Sequence, residues 1–133
     1  MTRTEAKSLR VLLADDDEIN AVVLQSVIRR LGHDADWVDS GSLALKALEQ
    51  GGYDLVLMDL LMPGMTGMEA TRRIREAGLG LTLPPIVAMS ALGDKESLRA
   101  CHEAGMDGYL RKPVDSRDLE SVLNRIALPG NGN

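Results

Sequence analysis

The chain has 133 residues, enough for one ordinary domain with a single core. It has no Phe, one Trp and two Tyr, so any core must be built from Leu, Val, Ile, Ala and Met. With 15 basic and 20 acidic residues the net charge is −5, mixed along the chain, which argues against a general nucleic-acid binder. The single cysteine, Cys101, excludes an internal disulfide, and no apolar run approaches the roughly 18 residues of a membrane helix. The polar start, Met1 to Ser8, lacks the apolar stretch of a signal peptide, so the protein reads as cytoplasmic.

In chain order, Leu9 to Ala14 is short and apolar and runs into Asp15-Asp16-Asp17, a pattern that predicts a buried strand. From Glu18 to Leu31, apolar residues at 19, 22, 23, 27 and 31 predict a helix, with Gly32 as its left-handed stop. Leu24 and Ile28 add apolar surface to that helix. They read either as a wider buried face or as a docking site for the helical bundle of a partner. Ala35 to Val38 is a short strand, and Ser40 can cap a helix running to Gly51-Gly52.

Tyr53 to Asp59 is a second strongly apolar strand that ends in an aspartate. A loop with Pro63, Gly64 and Gly67 leads into a helix from Met68 to Ala77, and Leu79 to Pro85 is a further loop. Ile86 to Met89 is a strand ending at Ser90, and Asp94 to Ala104 a helix closed by Gly105. Gly108 to Leu110 is a strand followed by Lys112-Pro113, and Asp115 to Ile126 the last helix. Residues 1–8 and 128–133 read as tails around a domain at 9–127.

Five strand–helix units imply a parallel sheet covered on both faces, with right-handed crossovers. The flavodoxin-like order 2-1-3-4-5 is the natural arrangement at this size. Ligands then bind outside the carboxyl ends of the strands. That edge gathers Asp15, Asp16, Asp17, Asp59, Ser90 and Lys112. Crowded carboxylates repel unless a cation joins them, and Mg²⁺ suits one or two carboxylates plus phosphate oxygens. A carboxylate can also act as a nucleophile toward phosphorus.

Four segments, L-L-A-D-D-D-E-I-N at 12–20, L-V-L-M-D-L-L-M-P-G-M-T-G at 55–67, I-V-A-M-S-A at 86–91 and G-Y-L-R-K-P at 108–113, occur in the order found in response-regulator receiver domains, which the chain resembles over residues 9 to 127. The resemblance implies a phosphorylation switch of two-component signalling. Asp59 matches the phosphoacceptor, and Asp15 and Asp16 match the acidic pair that holds Mg²⁺ or Mn²⁺ together with Asp59 and the backbone carbonyl of Leu61. Ser90 and Lys112 match the hydroxyl and ammonium that meet the phosphoryl group. Tyr109 matches the aromatic residue that moves with phosphorylation, and Lys112-Pro113 a cis peptide bond.

The implied partners are a histidine kinase or a histidine phosphotransfer protein and a downstream protein target, with no nucleic acid and no membrane. Two settings fit: a stand-alone regulator, or a receiver within a hybrid histidine kinase, which M-P-G-M and E-A-G-M-D-G-Y-L-R-K-P resemble.

The chain departs from the commonest pattern at Thr66, Leu61 and Leu92. Leu61 and Leu92 place apolar side chains where the hydrolytic water would enter, which predicts slow loss of phosphate. Two other functions fit less well. An aspartate-based phosphatase of the haloacid dehalogenase type would need D-x-D-G-[TV], but Glu18-Ile19 follows Asp17. A phosphorylation-independent pseudo-receiver would not need Asp15, Asp16, Asp59, Ser90 and Lys112 together. Of the rest, Asp17 reads as a helix cap, the methionines and Cys101 as packing, and His33 and His102 as surface residues.

Overall fold

The computed structural model describes residues 8–77 and 83–127. Five strands alternate with five helices: β1 (Arg10–Ala14), α1 (Glu18–Arg30), β2 (Asp34–Val38), α2 (Gly41–Gln50), β3 (Leu55–Asp59), α3 (Gly67–Ala77), β4 (Ile86–Ser90), α4 (Lys95–Ala104), β5 (Gly108–Arg111) and α5 (Ser116–Ala127). The strands form one parallel sheet in the order β2-β1-β3-β4-β5. This is the flavodoxin-like topology expected from the strand–helix alternation. Within the expected tails, Ser8 is described and its hydroxyl donates to the Gly32 carbonyl at 3.0 Å. Residues 1–7 and 128–133, and residues 78–82 of the loop before β4, lie outside the described residues.

Alternation along each strand divides the core into two layers. Val11, Leu13, Leu55, Leu57, Val87 and Met89 face α1 and α5. Leu12, Ala14, Val56, Met58, Ile86 and Ala88 face α2, α3 and α4. The methionines pack as expected: Met89 is buried in the first layer, Met58, Met62 and Met106 in the second, and Met65 and Met68 lean on the second. Cys101 is buried in that layer too.

Helix α1 corrects the expected face. Ala21, Leu24 and Ile28 are its buried residues, with Val27 and Leu31 beside them. Ile19, Val22 and Val23 are instead 78%, 53% and 54% exposed. The helix carries two adjacent apolar faces, and small Ala21 lets one of them approach the sheet. Leu24 and Ile28 are therefore core, not a docking surface. The C-terminus of α1 closes as expected: Gly32 has φ 96°, its N–H donates to Arg29, and the His33 N–H donates to Ile28.

His33 also departs from expectation. It is half-buried, and its Nδ1 accepts the Leu9 N–H at 2.9 Å, satisfying the backbone just before β1.

Candidate phosphoryl-transfer site

Strand register builds the site. Ala14 pairs with Met58, so Asp15 and Asp59 emerge side by side from adjacent strands. Asp59 pairs with Met89, and Ser90 with Arg111, so Ser90 and Lys112 each stand one residue further along. The sheet order reverses between β1 and β3, and the crevice of such a sheet lies at that switch point.

Asp15, Asp59 and Ser90 are buried polar residues, whereas Asp16 is exposed. The three carboxylates offer oxygens that all lie within 4.8 Å of one another. Lys112 Nζ donates to Asp59 Oδ2 at 2.9 Å and lies 3.6 Å from Asp15 Oδ2. Asp59 Oδ1 accepts the Leu61 N–H at 3.2 Å. Ser90 Oγ accepts the Leu92 N–H at 3.0 Å, and the Lys112 N–H donates to the Ser90 carbonyl at 2.8 Å. The Lys112–Pro113 bond is cis.

Charges in this cluster do not balance. Two buried carboxylates share one ammonium. Burial pushes the Asp59 carboxyl above its ordinary value of 3.8; Lys112 pulls it back, and Asp15 adds to the rise. Burial works to lower the Lys112 ammonium, but its contacts with Asp59 and Asp15 raise it overall. A hard divalent cation with oxygen ligands is the chemistry that fits this surplus of negative charge, with the exposed Asp16 as its open side.

Two residues with no role in the site on sequence grounds, Gly67 and Asn20, shape the cluster. A Cβ on Gly67 would lie 2.3 Å from the Asp59 carbonyl oxygen, so only glycine lets α3 start against the end of β3. Asn20 Nδ2 donates to Asp15 Oδ2. An Asn in the first turn after an acidic run was the available signal for it. Asp17 caps α1 as expected, its Oδ1 accepting from Ile19 and Asn20.

Leu61 and Leu92 flank the cluster and are 67% and 53% exposed. A cavity of about 330 Å³ opens beside Ser90, with Leu60, Leu61, Met68, Leu92 and Ala100 around it. Tyr109 is half-buried on β5, and its hydroxyl is buried with no hydrogen-bond partner among the described residues.

Residues 11–124 match the response regulator receiver domain model. The chain belongs to that family. Receiver domains are signalling modules rather than classical turnover enzymes. The chain is 36% identical over 127 residues to the sensory/regulatory protein RpfC of Xanthomonas campestris pv. campestris, covering 95% of this chain and 18% of RpfC. It spans only 13–18% of the length of the curated relatives it matches.

Among solved structures, the receiver domain of sensor histidine kinase PA1611 from Pseudomonas aeruginosa PAO1 matches at TM-score 0.80 and 33% identity, over 90% of this chain and 98% of that one. That domain carries a magnesium ion in its active-site cleft. The co-crystal of the Saccharomyces cerevisiae histidine phosphotransfer signalling protein Ypd1 with the receiver domain of its downstream response regulator Ssk1 matches at TM-score 0.88 and 26% identity, over 96% of this chain and 97% of that one. Among the described residues, no helix is long and apolar enough to cross a membrane.

Proposed function

We propose that this receiver is a phosphorylation switch or phosphorelay module that accepts a phosphoryl group on Asp59. The observation that carries the reading is the 2.9 Å contact of Lys112 with Asp59 inside a cluster of three carboxylates. An Asp59 carboxylate oxygen would attack the phosphorus of a phosphohistidine. The new bond is O–P, the bond broken is N–P, and the imidazole leaves with the electron pair. Lys112 would move its ammonium from the carboxylate to the incoming phosphoryl oxygens. The Ser90 hydroxyl, free to donate while it accepts from Leu92, would bond the same group.

Asp15, Asp16, Asp59 and the Leu61 carbonyl are the groups proposed to hold the cation, Mg²⁺ or Mn²⁺. When bound, it would relieve the carboxylate repulsion and neutralise developing charge on the phosphoryl oxygens. Tyr109 is the proposed reporter of the event, because among the described residues no hydrogen bond ties its buried hydroxyl in place on the face of α4, β5 and α5. The reading places the domain in the cytoplasm as a module that is modified, not one that turns over a small molecule.

The proposed donor is a histidine kinase or a histidine phosphotransfer protein, docked on the exposed face of α1. Ile19, Val22 and Val23 supply apolar area there, beside the end of the sheet that carries Asp59. Val22→Lys should slow transfer from a phosphohistidine donor and leave phosphorylation by acetyl phosphate unchanged.

The decisive experiment adds acetyl phosphate with Mg²⁺ and follows intact mass, and adds beryllofluoride with Mg²⁺ and follows Trp37 fluorescence. A switch gains one phosphoryl group and changes its emission, and Asp59→Asn loses both responses. Steady turnover of a phosphomonoester would instead make the domain a phosphatase. No response from the wild type would make it a pseudo-receiver.

A further inference from the structure

Asp15 is held at four atoms, by three separate parts of the fold. Its Oδ1 accepts the Asp17 N–H at 2.9 Å. Its Oδ2 accepts from Asn20 Nδ2, one turn into α1. Its carbonyl oxygen accepts the Trp37 indole N–H, from β2, at 2.7 Å. The Asp15 N–H completes the frame by donating to Val38 at 3.1 Å. A carboxylate only accepts hydrogen bonds, so the Asn20 amide must present its nitrogen and not its oxygen.

Each of these bonds removes a freedom. The two to β2 fix the backbone of residue 15. The Asp17 N–H and the Asn20 amide then fix the rotation of the carboxylate about its side chain. Asp15 is fully buried, so water does not supply those bonds. Asn20 is the only side chain among them that grips Oδ2 without bringing a charge. Lys112, the other group near that oxygen, is 3.6 Å away and is engaged with Asp59 at 2.9 Å.

We propose that Asn20 is a positioning residue for the cation site, fixing the orientation of the Asp15 carboxylate so that the site prefers the strict geometry of Mg²⁺ to the looser one of Ca²⁺. This rests on the reading of the cleft as a divalent-cation site. Mg²⁺ demands near-ideal octahedral geometry at short distances, whereas Ca²⁺ accepts longer and more variable arrangements. Groups that orient a metal ligand typically set affinity by about 10–100-fold. A carboxylate free to rotate would therefore cost Mg²⁺ more than Ca²⁺.

The test uses the full chain and the metals alone, with no phosphoryl donor. Mg²⁺ and Ca²⁺ are titrated separately into wild type, Asn20→Leu and Asn20→Gln, and binding is read by calorimetry and by Trp37 emission. Asn20→Leu keeps the bulk and removes the donor; Asn20→Gln keeps the donor on a longer arm. In Asn20→Leu, Mg²⁺ affinity should fall about 10-fold, with a smaller fall for Ca²⁺, so that the preference narrows. Asn20→Gln should recover part of the preference.

A merely structural role would lower the melting temperature of the metal-free protein and leave the ratio of the two affinities at the wild-type value. That outcome overturns the inference while the cation site stands. A wild type that binds neither metal would overturn the reading of the cleft itself, and this inference with it.

Discussion

The two ends of the sheet treat charge in opposite ways. At the N-terminal end, and along the adjoining edge of β2, charges meet their opposites near solvent: Arg10 with Asp36, Arg29 with Asp34 and Arg75 with Asp107. Arg10 pairs with Asp36 at 3.0 Å and lies 4.5 Å over the Tyr53 ring, whose hydroxyl donates to Asp36 at 2.7 Å. That bond, with Arg10, holds the Asp36 carboxyl below its ordinary value. Asp107 accepts from Arg75 and from the Ile86 N–H, both at 2.8 Å. At the C-terminal end, Asp15 and Asp59 are buried and share Lys112. The first end is satisfied as it stands. The second holds an electrostatic tension that a cation or a phosphoryl group would change, which is the arrangement expected of a site.

Four perturbations would sharpen or break this contrast. Gly67→Ala should have the largest effect, because a Cβ 2.3 Å from the Asp59 carbonyl must displace backbone. A loss of about 3 kcal/mol in urea unfolding is expected. A loss under about 1 kcal/mol would show that α3 can retreat from β3 at little cost.

Next, replacing Leu61 and Leu92 together with Asn should shorten the lifetime of the phosphorylated form. About 10-fold faster loss of phosphate is expected, from opening the rim to water, equivalent to about 1.4 kcal/mol. Decay after removal of acetyl phosphate, read by intact mass, checks this. An unchanged rate would remove the two leucines from any account of water entry.

Third, Asp59→Asn and Asp107→Asn should move stability in opposite directions without divalent cations. For Asp59→Asn, burial and repulsion by Asp15 outweigh the lost contact with Lys112, so stability should rise by about 1 kcal/mol. Asp107→Asn weakens the tie to Arg75 and the Ile86 N–H and should lower it by about 1 kcal/mol. Two losses of equal size would break the contrast between the ends.

The smallest effect concerns His33. Burial lowers its imidazole below the ordinary value of 6.5. The unfolded chain therefore binds a proton before the folded one does. The contribution is fully present above pH 6.5 and is lost as pH falls toward the folded value. Protonation also ends the ability of Nδ1 to accept from Leu9. Melting temperature should drop slightly between pH 7.5 and 5.5, and His33→Gln should flatten that drop. A slope unchanged by His33→Gln would assign the pH dependence elsewhere.

Much of this was legible in the sequence because it is local. An apolar run ending in Asp15 or Asp59 names a strand and the end that carries chemistry. Ser40, Asp94 and Gly105 mark helix boundaries through bonds to their own neighbours in the chain. Four segments in the right order were enough for the family. Helix rotation was not legible. Apolar residues lie on two faces of α1, and only packing of Ala21, Leu24 and Ile28 against the sheet decided which face is buried. His33 looked like a surface residue because its partner, the Leu9 N–H, lies 24 residues away.

By itself, then, the sequence determined the order of elements, the layered architecture and which residues gather at one edge. Those follow from periodicity and capping, which act within a few residues. The tertiary structure decided the register that sets Asp15 beside Asp59, the 2.9 Å reach of Lys112, the close approach of Gly67 and the grip of Asn20 and Trp37 on Asp15. Each depends on segments distant in the chain meeting at fixed separations, and hydrophobic periodicity carries no record of those distances.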